Sequence, residues 1–167
     1  MNRWAPGGHE PREGKAFEVL NRQSDRLTEL VEELLEVSRL QLGRLALKRQ
    51  RFELGELVDE VLERMRGVSA QHRLVFEQNG PALMDADWNR MTQVLSNLLD
   101  NAIKFSPEGG TVRVSLTTRG SMAVVSVRDE GMGIPKERQG QLFERFYRAH
   151  AGLASDRGGM GIGLHLT

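Results

Sequence analysis

Asn97 and Asn101 stand four residues apart, and Lys104 follows three further on, in a stretch that reads as helix over 87–105. At helical spacing the three side chains leave from nearly one face, while Met91, Val94, Leu95, Leu98 and Ile103 supply the apolar remainder. Two carboxamides offer neutral oxygens to a hard cation, and the ammonium offers charge to phosphate, so magnesium with a polyphosphate fits the row. A polar stripe on a half-buried helix is also what solvation alone produces. A second group, Asp129-Glu130-Gly131-Met132-Gly133-Ile134-Pro135, lies where a strand ends. An acid followed by two glycines lets backbone approach a flat ligand while the carboxylate accepts from an exocyclic amine, which points to adenine; the bland alternative is a glycine turn with a capping Asp. A third is Gly158-Gly159-Met160-Gly161-Ile162-Gly163-Leu164, whose free N–H groups could lead into a helix and cradle phosphate. It lacks the GK[ST] ending of a Walker loop and the strand-first setting of a dinucleotide fingerprint, so both common nucleotide folds are set aside.

The elements that must position these residues are legible from periodicity and breakers. Residues 1–14 hold Pro6, Gly7, Gly8, Pro11 and Gly14, which argues for a disordered leader. From 15 to 42 there is neither Gly nor Pro, and Leu20, Ser24, Leu27, Val31, Leu34 and Ser38 recur at alternating four and three spacing. That is a heptad seam, widened by Leu30, Leu35 and Leu42, and it predicts a helix seeking bundle partners. A basic connector over 43–51 precedes a second amphipathic helix carried by Leu54, Leu57, Val58, Val61, Leu62 and Met65 and ending at Gly67. Short strands are expected at 73–78 and 82–85 around Asn79-Gly80-Pro81, with Asp85 or Asp87 capping the next helix. Residues 111–118 and 122–128 read as an antiparallel hairpin, 141–147 as a short helix, and 149–158 as a mobile loop.

The composition removes several classes. The chain has 167 residues, 39% hydrophobic and 28% charged, enough for one ordinary core with an appendage. Lys and Arg number 23 against 23 Asp and Glu, so the broad positive field of a nucleic-acid binder is missing. With no Cys there is no disulfide framework, thiolate metal site or cysteine nucleophile. No apolar run is long enough to span a bilayer and the N-terminus has no signal-peptide core, so a cytoplasmic protein is expected.

Order and spacing together are more specific than any one group. NLLDNAIKFSPEGG, DEGMGIP, LFERFYR and GGMGIGL follow one another as do the N, G1, F and G2 boxes of two-component sensor histidine kinases, and the chain from Phe52 onward resembles their ATP-binding domain. RLTELVEELLEVSRL resembles the second helix of the family's dimerisation hairpin. The resemblance implies an α+β fold, an α/β sandwich of the Bergerat ATP-binding type, with a leader over 1–14, a docking helix over 15–48 and the ATP-binding domain over 49–167. It implies ATP and Mg2+ as cofactors, with Asn101 as the magnesium ligand and Asn97 its polar neighbour at the phosphates. Lys104 becomes a phosphate contact and Phe105 a ring packed by the nucleotide. Asp129 becomes the acceptor of the adenine amine, with Gly131, Gly133 and Ile134 shaping its pocket. Arg148 reaches the terminal phosphate, and Gly159, Gly161, Gly163 and Leu164 form the lid and phosphate-facing turn. Phe143 and Phe146 are expected to pack at the lid hinge.

The family's hydrolases carry a Glu general base where this chain has Asn97, and an amide cannot take a proton from water at neutral pH. The expected chemistry is therefore phosphoryl transfer without hydrolysis. The family's acceptor is a His in a motif like HELRTPL. The one His-Glu pair here, His9-Glu10, is followed by Pro11-Arg12 and sits in the leader, while His72, His150 and His165 are expected at the surface or in loops. The family also continues past its last glycine box through a helix and further strands, whereas this chain stops at Thr167, so an incomplete fold with an open apolar edge is expected. The combined reading is the ATP-binding component of a split kinase. It acts on a histidine of a separate protein, with a response regulator downstream and homo- or hetero-dimerisation through the 15–42 helix. A catalytically silent remnant that binds partners is the main alternative; an ATP hydrolase and an anti-sigma type serine kinase are weaker ones.

Overall fold

The computed structural model describes residues 46–67, 70–149 and 161–167, together with Phe17, Leu20, Asn21, Ser24, Leu27, Thr28, Val31 and Leu35. The chain divides into two compact units, Met1–Leu45 and Ala46–Thr167. In the first unit those eight residues are helical and exposed, including the apolar Phe17, Leu20, Leu27, Val31 and Leu35. The expected leader over 1–14, with His9, and the seam positions Leu34 and Ser38 lie outside the described residues.

The second unit runs β1 (Arg49–Glu53), α1 (Leu54–Arg66), β2 (His72–Asn79), β3 (Leu83–Asp87), α2 (Trp88–Lys104), β4 (Gly110–Arg119), β5 (Met122–Arg128) and α3 (Lys136–Gln139), ending in a 3-10 turn at Gly163–Leu166. β1 and β3 form an antiparallel pair, while β2, β4 and β5 form a sheet in that order, β2 parallel and β5 antiparallel to β4. Strict alternation on β4 buries Val112, Val114 and Leu116 on one face, and the period of α1 buries Leu57, Val58, Val61 and Leu62 against them in one core. α2 contributes Leu95, Leu99 and Ala102, a narrow stripe at four and three spacing. This is a two-layer α/β sandwich, as expected from the sequence.

Local contacts explain two places where the observed elements differ from the expected ones. Arg49–Glu53 is a strand and not a connector, because it pairs with β3 and Phe52 packs edge-on to Trp88, ring centroids 4.9 Å apart. Glu53 then locks the corner: its carboxylate accepts from the Ala82 N–H at 2.7 Å and from Gln78 Nε2 at 3.0 Å. Residues 141–147 form turns where a helix was expected, and the short helix lies just before them at Lys136–Gln139. Phe146 adopts a left-handed φ of 61°, which no α-helix accommodates.

Asp87, buried at the start of α2, is the cap: Oδ1 accepts from the Arg90 N–H at 3.2 Å, and Oδ2 from the Lys48 N–H at 2.7 Å. The Lys48 amide holds this carboxyl below its usual value of 3.8; desolvation opposes the shift, and the Arg90 and Asn89 amides assist it. A depressed carboxyl contributes stability that is present above the unfolded value and lost as pH falls through the folded one. The melting temperature of Asp87→Asn is therefore expected below that of the parent at pH 7, with the gap closing as melts are taken below pH 3.8. A gap that stays constant with pH would show that the charge contributes nothing.

Candidate functional site

The site begins where α2 stops. The Phe105 N–H closes on the Asn101 carbonyl at 2.9 Å and the Ser106 N–H on the Ile103 carbonyl at 3.3 Å. The end of the helix leaves the Phe105 carbonyl unused by the ladder, and it accepts from the Met132 N–H at 3.1 Å. That bond ties the asparagine helix to the first glycine turn. Asp129, exposed just past the end of β5, accepts the Gly131 N–H on Oδ1 at 2.9 Å. Its neighbour Glu130 is committed elsewhere, accepting the Thr111 N–H at 3.0 Å. Both exposed acids thus hold one backbone N–H and keep a second carboxylate oxygen, but only Asp129 braces the glycine turn itself. Gly131 needs its missing side chain for space: a Cβ there would lie 2.7 Å from Ser106 Oγ and 2.8 Å from Asp129 Oδ1, and would strike the Phe105 carbonyl. Gly133 has a φ of 67°, and Ile134 is exposed beside it.

On α2, the row Asn97, Asn101 and Lys104 is half-buried and lies opposite the Leu95, Leu99, Ala102 stripe. Asn97 Nδ2 donates to the Gly163 carbonyl at 3.2 Å, which attaches the last glycine stretch to the same helix. Lys104 Nζ sits 5.3 Å from the centre of the Phe105 ring, a cation-π distance. Gly161 takes a φ of 71° with the Tyr147 carbonyl where a Cβ would be, and its own carbonyl accepts from the Phe146 N–H at 3.0 Å. His165 adds a second clasp. Its Nε2 accepts from Arg145 Nε at 3.0 Å, which leaves Nδ1 as the donor to the Phe143 carbonyl at 2.9 Å.

Hydrogen bonds thus join α2 to the turn at 131–132 and to the terminal turn that carries Gly163 and Leu164, while Arg148 is half-buried in the segment before residue 150. Gly159 and His150 lie outside the described residues. Two expectations are corrected. Phe143 and Phe146 are 63% and 57% exposed, so neither ring is packed as expected, and the segment is tied instead by the Phe146 N–H to Gly161 and by His165 to the Phe143 carbonyl. His72 is not a free surface histidine: half-buried on β2, its Nε2 bonds the Ser106 carbonyl at 2.9 Å. Sequence reasoning also missed Ser106 and Glu130, the first read as a helix stop and the second as part of a turn.

A separate cavity of about 510 Å³, lined by Leu57, Val58, Met91, Val94, Leu98 and Val125 among others, shares no residue with this site. Among the described residues no cluster of three or more His, Asp or Glu could hold a metal. A half-buried amide oxygen such as that of Asn101, completed by water and phosphate oxygens, is a hard-donor set that a magnesium ion accepts.

The family model described as "Histidine kinase-, DNA gyrase B-, and HSP90-like ATPase" matches residues 86–167. The circadian input-output histidine kinase CikA of Synechococcus elongatus is 34% identical over 170 residues, spanning 99% of this chain and 22% of that protein. A mycobacterial sensor histidine kinase, MprB, is 30% identical and superposes with a TM-score of 0.61 over 71% of this chain and 74% of its own. The chain belongs to the histidine kinase family. Full-length ShkA, a histidine kinase solved in complex with AMPPNP, covers 97% of this chain at 25% identity and a TM-score of 0.81, while this chain covers 34% of it. The chain spans 22% to 25% of the length of the first three curated kinases it matches. Among the described residues of this histidine kinase chain, no helix is long and apolar enough to cross a membrane.

Proposed function

We propose that residues 46–167 hold MgATP and present its γ-phosphoryl group to a histidine on a separate protein, as the nucleotide-binding component of a cytoplasmic two-component kinase. The observation that carries this reading is the 3.1 Å bond from the Met132 N–H to the Phe105 carbonyl. It ties the end of α2, which carries Asn101 and Lys104, to the turn that follows Asp129, and so supports a single nucleotide engaging both.

Each group then has a task suited to its chemistry. Asp129 accepts from the adenine amine, and Gly131, Gly133 and Ile134 let the base lie against backbone. Asn101 supplies an amide oxygen to magnesium, Asn97 orders the phosphate end, and Lys104 and Arg148 balance the charge of the β- and γ-phosphates. Gly159, Gly161, Gly163 and Leu164 bring backbone N–H groups to the phosphates, and Phe105 packs against the nucleotide. Bound magnesium would neutralise phosphate charge. Transfer forms a bond from the acceptor imidazole nitrogen to the γ-phosphorus and breaks the bond to the bridging oxygen; ADP leaves with that electron pair and the imidazole proton passes to solvent. Asn97 is no base for water, so the γ-phosphoryl waits for a better nucleophile.

The exposed Phe17, Leu20, Leu27, Val31 and Leu35 support a docking role for the N-terminal helix, against the acceptor-bearing helix of the partner or another copy in a bundle. A response regulator would take the phosphoryl group next. The test is incubation with γ-labelled ATP, Mg2+ and candidate histidine-bearing proteins. Acid-labile label is expected on a partner, with no steady phosphate release, and Asn101→Ala should lower the labelling rate at least about tenfold, the scale of losing even an outer partner of a metal. Absence of label on every candidate would count against the transfer.

A further inference from the structure

Ser106 is 3% exposed, and its hydroxyl has no hydrogen-bond partner. Its backbone, by contrast, is fully engaged. The N–H goes to the Ile103 carbonyl at 3.3 Å, and its own carbonyl receives the Gly109 N–H at 2.9 Å and bonds His72 Nε2 at 2.9 Å. The residue is therefore held in place with one costly group unspent, since a buried hydroxyl without a partner is unfavourable. The other such hydroxyl among the described residues, Thr92 Oγ1, belongs to the N-terminal part of α2.

What Ser106 faces gives the hydroxyl its use. Its Oγ and Asp129 Oδ1 crowd the same side of Gly131, at 2.7 and 2.8 Å from where a Cβ would stand. Asp129 is exposed, so water satisfies much of its carboxylate now. A purine seated on it displaces that water, and a desolvated carboxylate needs replacement donors. Gly131 already supplies one to Oδ1. We propose that Ser106 is a positioning residue for nucleotide recognition: on binding, its hydroxyl donates to Asp129 beside the Gly131 N–H, turning the second carboxylate oxygen to the exocyclic amine of the base. Ser106 thereby tunes selectivity for a 6-aminopurine. The inference rests on the MgATP reading above and deepens it.

The test compares the full chain with Ser106→Ala, titrated calorimetrically in Mg2+ with AMPPNP and with the matching purine riboside analogue that lacks the 6-amino group. Ser106→Ala is expected to weaken AMPPNP about fivefold to tenfold, on the scale of one hydrogen bond, and the amine-free analogue less than twofold. The melting temperature without nucleotide is expected to stay level or rise, because an unsatisfied buried group is gone. Equal weakening of both ligands would assign Ser106 a merely structural role, and unchanged AMPPNP affinity would remove any role; either overturns the proposal while leaving MgATP binding intact. Failure of the parent chain to bind either ligand would instead overturn the MgATP reading, and this inference with it.

Discussion

Replacing Asp129 by Ala is expected to lower affinity for a non-hydrolysable ATP analogue by about 100-fold. A hydrogen bond to a charged group contributes about 1.5–3 kcal/mol, or roughly 10- to 150-fold in binding. The variant also releases the Gly131 N–H from Oδ1, so the turn beneath the base loses its internal brace. Asp129→Asn separates the two effects. Its amide oxygen still accepts from either donor, and a loss nearer tenfold is expected. Glu130→Ala makes the contrast sharper, since that carboxylate serves the Thr111 N–H and its removal should lower the melting temperature without touching the choice of nucleobase. Calorimetric titration in Mg2+ reads the affinities of all three, and thermal melts read the stability of Glu130→Ala. Retention of affinity within twofold in Asp129→Ala would place the acceptor of the amine elsewhere.

Leu99→Ala is expected to destabilise the second unit by about 3–5 kcal/mol, the upper range for emptying a leucine site that cannot collapse. Leu99 is fully buried, in one core with the apolar face of α1 and the inward residues of β4. It lies on the face of α2 opposite the Asn97, Asn101 and Lys104 row, so its packing fixes how that helix seats in the core. Urea unfolding should show a lower midpoint with an unchanged slope, the mark of lost stability without a change in the surface exposed. A loss below about 1 kcal/mol would mean that neighbouring side chains close the gap, as happens in adaptable cores.

The parts of this fold governed by local period were legible in the sequence. α1, α2 and the β4–β5 hairpin emerge where expected because their apolar spacing and flanking turns agree with their burial. Asp87 was one of two candidate caps, and the backbone of Lys48, 39 residues away, is also held by it. What was illegible depends on distant partners. RQRFE buries one side chain, so its charge suggested a connector; only pairing with β3 and the Glu53 bond to Ala82 make it a strand. LFERFYR has helical apolar spacing, yet the Phe146 N–H is claimed by the Gly161 carbonyl across the glycine stretch. In the candidate site, motif order singled out Asn97 and Gly163, which share a hydrogen bond, and Phe105, whose carbonyl meets the turn that follows Asp129. No local signal distinguishes Ser106 from an ordinary helix stop, because its importance lies in the Gly131 turn that comes to rest on it.

The parallel register of β2 with β4 joins residues that are 38 positions apart along its whole length, from His72 with Gly110 to Asn79 with Thr117. The loop so closed contains all of β3 and α2. Assembly must therefore bring together distant parts of the chain before the sheet rewards it, a non-local pairing of the kind that slows folding. In a nascent chain this pairing cannot be complete until residue 117 has emerged to meet residue 79, so the sheet against which α2 packs is among the last parts to be finished.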